Sequence, residues 1–252
     1  MLISFDGLLW LLAALVLLQF LQRSLHREIQ ALFLITTRSP GVTIGIFSII
    51  FLPGVFLHEL SHFLMAKILR VRTGKFSLLP RMLPNGSLQL GYVEAAYSDI
   101  LRDSLVGVAP LLSGMLFIAY GAAAHLHLVI VWDTLRNSQW DLFTLGLQTL
   151  PNIPDFWIWF YLTFAISSTM MPSESDRHAW RPLGLAAVTL FLIVLLVGAG
   201  PWMLINLAPP INQFLRSTAL VLLVSIIIHG LLIIPLLIIH RILTRLTRVD
   251  IT

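Results

Sequence analysis

The sequence predicts an all-α polytopic membrane protein with about six transmembrane helices and a small β-hairpin insert. Three observations carry that reading. Hydrophobic residues make up 58% of the 252-residue chain and charged residues only 11%, where a soluble domain carries about 25% charged residues. The apolar residues fall in long runs, close to the ~20 residues that a helix needs to cross a bilayer. The segments between the runs are too short for a large aqueous domain, the longest extending from Arg70 to Ser104. The net charge of +4 then bears on orientation in the membrane and not on nucleic-acid binding. The chain has no cysteine, which excludes thiolate metal ligands.

In chain order, the candidate spans are Gly7–Leu21, Val42–Leu69, Leu105–Trp132, Phe156–Met171, Leu183–Leu207 and Thr218–Ile239. The first has no basic stretch before it and no small-residue cleavage site after it, so a retained helix is expected there. Between the second and third spans, Pro84-Asn85-Gly86 is a hairpin turn signal. Ser87-Leu88-Gln89-Leu90 alternates polar and apolar residues, the period of a half-exposed strand. A hairpin over Lys75–Glu94 is expected. The chain thus divides into an N-terminal helix and loop (1–41), a core of three helices with an insert at 70–104 (42–181), and two C-terminal helices with a tail (182–252).

Lys and Arg set the orientation. With a cytoplasmic C-terminus, the inside set is Lys67, Arg70, Arg72, Lys75, Arg81, Arg102, Arg177, Arg181, Arg241, Arg245 and Arg248. The outside set is Arg23, Arg27, Arg38, Arg136 and Arg216, which makes eleven against five. The first loop runs against this bias, since it holds three of the five. Trp132, Trp140, Trp157, Trp159 and Trp202 would form a belt at the outer interface. The expected setting is a multi-pass protein of the cell (inner) membrane.

The chemistry lies in His58-Glu59-Leu60-Ser61-His62. Residues four apart stack on one helix face, so both imidazoles can aim at one metal ion. Glu59 is about 100° around the helix, placed to reach a water beside that metal and to act as general base and acid. Zinc suits two histidines and a carboxylate, with a fourth position open. The chain holds 8 His and 4 Glu, so about 0.004 chance matches to the pattern are expected. Glu59 is also the one acidic residue inside the six candidate spans, and an intramembrane carboxylate marks function by default. The plainer alternative is a polar cluster that glues helices together.

The third ligand has to come from another segment. His58 and His62 lie late in the second span, and Pro172-Ser173-Glu174-Ser175-Asp176 follows the fourth span at the same expected depth. Pro172 ends that helix and lets the chain fold back. Asp176 is the favoured ligand, with Glu174 and His178 as rivals.

In order and motif, this chain resembles the site-2 protease family of intramembrane metalloproteases. The shared features are His58–His62, the hairpin, Gly91-Tyr92-Val93, the helix start Val108-Ala109-Pro110-Leu111 with Gly114, and the loop carrying Asp176. The likeness covers roughly Val42–Arg181. Ser61 stands where the family usually has Gly and Phe63 where it often has Ala. Ser168 to Arg177 lacks the family's Asn and the Gly after the Asp, and the chain has no room for a PDZ domain. The resemblance implies a zinc endopeptidase with His58, His62 and Asp176 as ligands and Glu59 as catalytic base. Its substrates would be transmembrane segments of other proteins in the lipid bilayer, cut near the cytoplasmic side. The alternative is a non-proteolytic membrane protein, either a transporter or an inactive protease-like scaffold. Gly107, Gly114 and Gly121 recur every seven residues, a stripe expected to let helices approach closely. His229, set among isoleucines, is expected to be a hydrogen-bonded interior residue and not a ligand.

Overall fold

In lipid, every backbone N–H and C=O must be satisfied within its own segment, so the apolar runs fold as helices. The computed structural model describes residues 6–82 and 88–247, and the chain is an all-α multi-pass membrane protein with a small antiparallel strand insert. The helices are α1 (Gly7–Thr37), α2 (Pro40–Ile68), α3 (Ile100–Ala124), α4 (Leu128–Arg136), α5 (Trp140–Thr149), α6 (Phe156–Thr169), α7 (Trp180–Leu196), α8 (Gly200–Asn206) and α9 (Ala208–Thr247). Between α2 and α3 lie β1 (Thr73–Ser77), β2 (Arg81–Met82), β3 (Leu88–Gln89) and β4 (Tyr92–Ala95). Of these helices, α1, α2, α3 and α9 are each long and apolar enough to cross a membrane. The 14-residue α6 is a shorter apolar helix.

Side-chain contacts fix the helix directions. Along α1, Leu18 meets Met170, Gln22 donates to the Ser167 carbonyl, and Leu25 packs with Phe164. The pair α1 and α6 is therefore antiparallel. Gly7 donates to Asn212 and Leu18 packs with Leu222, so α1 and α9 run parallel. The hydroxyl of Tyr161 donates to the Ile50 carbonyl and His58 bonds the Thr169 carbonyl, so α2 and α6 are parallel. One end of the bundle thus collects the start of α1, α3 and α9 and the finish of α2 and α6. The Asp6–Arg216 ion pair and the Glu28–His240 hydrogen bond tie α1 to α9. They bracket 22 residues of α1, about 33 Å of helix, close to the ~30 Å hydrocarbon core of a bilayer.

These directions revise several expectations. The first candidate span runs on to Thr37, which places Arg23 and Arg27 on α1 and reduces the first loop to Arg38 and Ser39. Glu28 is consequently a second buried acid on a long apolar helix, paired with His240. The third span stops at Ala124, and the chain turns at His127 (φ 49°) into α4 and α5, which bury no residue. Leu183–Leu207 falls in α7 and α8, bent by 112°. Because α6 ends and α9 begins at the same end of the bundle, and seven-residue α8 reaches only about 10 Å, this pair returns to the side it left. The candidate site sits level with the middle of α9, where Ser168 meets His229, and α9 ends on the side of the bundle away from the finish of α2 and α6. Trp202, on α8, is correspondingly separated from Trp132, Trp140, Trp157 and Trp159.

The hairpin expectation corresponds to β1 pairing antiparallel with β4 (Phe76 opposite Val93, Ser77 opposite Tyr92) and β2 pairing with β3. The expected Asn85-Gly86 turn lies outside the described residues. Among the described residues, a cluster of Leu126, Leu150 and Phe156 lies where α3 turns toward α4, and two larger apolar clusters hold the bundle. One joins Leu25, Phe47, Phe51, Val55, Phe164 and Ile228, and the other joins Leu18, Ile118, Met170 and Leu222. Close packing, and not water exclusion, supplies the attraction between such helices. Gly54 illustrates it, since a Cβ there would overlap the Ala165 carbonyl of α6.

Candidate metal centre

The last turns of α2 carry His58, Glu59 and His62. The four-residue spacing sets the two imidazoles side by side, with Nε2 atoms 3.2 Å apart. In each ring the other nitrogen is engaged. His58 Nδ1 donates to the Thr169 carbonyl at 2.7 Å, and His62 Nδ1 donates to the Val106 carbonyl at 2.9 Å. A carbonyl accepts only, so each Nδ1 carries the proton and each Nε2 presents a lone pair. This is the tautomer a metal requires, fixed by partners of the kind that orient metal-binding histidines elsewhere. Both partners are backbone atoms of other helices, α6 and α3.

Asp176 completes the group from the loop between α6 and α7. Its Oδ1 lies 3.3 Å from His62 Nε2 and its Oδ2 3.8 Å from His58 Nε2. The three ligand atoms lie within 4.8 Å of one another, and the group could hold a metal ion. Ser173 orients the carboxylate, donating to Oδ2 from its backbone N at 2.7 Å and from its hydroxyl at 2.6 Å. Burial alone would raise this carboxyl. The His62 imidazole against it, the hydrogen bonds from Ser173 and the nearby His58 imidazole hold it well below the usual carboxylate range, in its ionised form.

The rivals for the third position point elsewhere. Glu174 is exposed and outside the group. His178 bonds the Ser175 carbonyl at 2.7 Å and Asp103 Oδ2 at 3.2 Å.

Glu59 is buried and faces the same cavity of about 420 Å³ as His58, His62 and Asp176. Residues Leu88 to Val93 form one wall. A Cβ on Gly91 would come within 2.9 Å of Glu59 Cγ, so glycine allows the chain beside β4 to pass directly over this carboxylate. The pairing of β1 with β4 occupies one edge of β4.

Several residues that build the centre escaped the sequence reading. The Thr169 and Val106 carbonyls carry no side-chain signal at all. The glycine stripe was visible, and its contacts are now specific. Gly107 meets the Asp176 backbone, Gly114 meets Met170, and Gly121 meets Trp159 and Thr163. A Cβ at Gly107 would overlap the Asp176 carbonyl, so this glycine sets how closely the loop seats on α3. His229 is fully buried, donating from Nδ1 to the Ser225 carbonyl at 2.8 Å and accepting from Ser168 at 2.9 Å. Comparisons with protein-family models, curated proteins and solved structures find no match.

Proposed function

We propose that this chain is an intramembrane zinc endopeptidase of the site-2 protease type, hydrolysing peptide bonds in membrane-embedded substrate proteins. The observation that carries the reading is the convergence of His58, His62 and Asp176, with correctly protonated rings, around a cavity that also contains Glu59. Two imidazoles and one carboxylate suit zinc and leave a position open for chemistry. A zinc ion there would supply Lewis acidity, making water nucleophilic near neutral pH. Glu59 takes the proton from the attacking water and returns it to the departing amine. Asp176 and the two histidines keep the ligand geometry fixed while this happens.

The β3–β4 segment serves substrate presentation. A helical substrate shields its own carbonyls, and unwinding it in lipid strands backbone groups at several kcal/mol each, in order of magnitude. A strand edge beside the cavity offers replacement partners, as in other strand-addition sites.

We place the site end on the cytoplasmic side of the cell membrane. That end gathers Lys67, Arg70, Arg72, Lys75, Arg81, Arg102, Arg177, Arg181 and Arg216, nine of the sixteen basic residues. The end of α9 then faces the opposite side, in contrast to the cytoplasmic tail that the sequence suggested. A reporter fused after Thr252 reads out this arrangement: an external signal supports it, and a cytoplasmic signal contradicts it.

The function is tested by comparing membrane proteomes of cells carrying the native chain and Glu59→Gln. Membrane proteins that stay full-length only in the variant support the reading. Identical fragment patterns overturn it in favour of a scaffold or transporter.

A further inference from the structure

We propose that Asp103 and His178 form a positioning pair that holds Asp176 in its ligating geometry. This rests on the metal centre proposed above. Asp176 stands in a loop, with no helical period to fix it. Ser173 orients the carboxylate relative to the loop, but both belong to the same segment. Gly107 admits the Asp176 carbonyl to α3 without bonding it. Something has to tie the loop to the body.

His178 supplies that tie. Its Nδ1 faces the Ser175 carbonyl at 2.7 Å, next to Asp176, and its Nε2 faces Asp103 Oδ2 on α3 at 3.2 Å. Asp103 lies four residues before Gly107, so the two share a face of α3. The tie therefore sits one helical turn from the point where the Asp176 backbone seats. The other oxygen of Asp103 accepts from Ser98 N at 3.0 Å, just after β4. A single carboxylate thus joins the ligand loop, the first turn of α3 and the exit of the strands. Asp103 is largely covered, its side chain 13% exposed, while His178 is 45% exposed. Removing the imidazole leaves no cavity in the bundle, which separates positioning from folding.

The experiment measures zinc affinity by chelator competition on the full chain in lipid nanodiscs. Asp103→Ala and His178→Ala are each expected to weaken zinc ~10–100-fold, the range for residues that orient metal ligands. The double variant should be no weaker than the poorer single, because the two act as one unit. His178→Gln, whose amide can still donate to Asp103, should recover part of the loss. Thermal unfolding of zinc-free His178→Ala, which keeps the Asp103–Ser98 hydrogen bond, should not change. Affinities within about twofold of native, losses that multiply in the double variant, or an equal loss of zinc-free stability would each overturn the proposal. If the native chain takes up no zinc, the metal centre itself fails, an outcome distinct from native uptake with unaffected variants.

Discussion

His58 and His62 stand on one helix, and Asp176 stands in a loop from a different part of the chain; the two halves of the site keep their geometry by different means. On α2, the rise and twist of the helix set the distance between the imidazoles, and backbone carbonyls of α6 and α3 set their tautomers. On the loop, the carboxylate depends on Ser173, on the glycine seat at Gly107, and on the connection to α3. The helical half is rigid by construction. The loop half is assembled from several weak fixings, each of which can be removed alone. Metal affinity should therefore respond in large steps to changes on α2 and in graded steps to changes around the loop.

The largest effect is expected on the helix. His58→Ala or His62→Ala removes one of three ligands and should leave the purified chain without its ~1 zinc, read by metal analysis. Retention of zinc in both variants would erase the distinction between the halves. Gly107→Val comes next. The added side chain overlaps the Asp176 carbonyl and lifts the loop from α3, which should weaken zinc binding ~10-fold or more while His58 and His62 remain in place. An unchanged affinity would mean that the loop does not depend on its seat.

Leu90→Pro probes the strand wall, which touches the cavity without supplying a ligand. Leu90 directly follows β3, and proline there removes a backbone donor and disturbs the segment between β3 and β4. Cleavage of a membrane substrate should fall with zinc retained, and substrates containing Gly or Pro near the cut should suffer less than regular helices. A normal rate on all substrates would remove β3–β4 from substrate handling. The smallest effect belongs to Glu174→Ala. This exposed residue lies outside the ligand group, and zinc affinity should stay within about twofold. A loss matching that of Asp176→Ala would reassign the third ligand.

The same contrast explains what was legible in the sequence. A helix is a local object with a known period, so His58, Glu59 and His62 could be placed on a shared face from spacing alone. Apolar runs announce membrane helices for an equally local reason. Asp176 was reachable only by combining depth, a proline and a family pattern, because a loop has no period from which to compute a direction. The Asp103–His178 contact joins residues 75 positions apart and left no trace in composition or spacing. Helix ends were misjudged where polar residues continue a helix, as at Arg23 and Arg27 on α1. The pairing of Glu28 with His240, across 212 positions, shows why they do: α1 extends along α9, and a buried acid finds its partner there. The path of α7 and α8 was hidden as well, since an apolar stretch of span-like length looks the same whether it crosses the membrane or turns back.

In the proposed mechanism, Glu59 performs proton transfer at a metal held by His58, His62 and Asp176. The most direct measurement compares the purified native chain with Glu59→Gln, at matched zinc content, for the rate of cutting one membrane-embedded substrate in liposomes. Gln keeps the shape of Glu but cannot accept the proton, so the rate should fall ~10²–10⁴-fold with zinc unchanged. Equal rates in the two proteins would contradict the account.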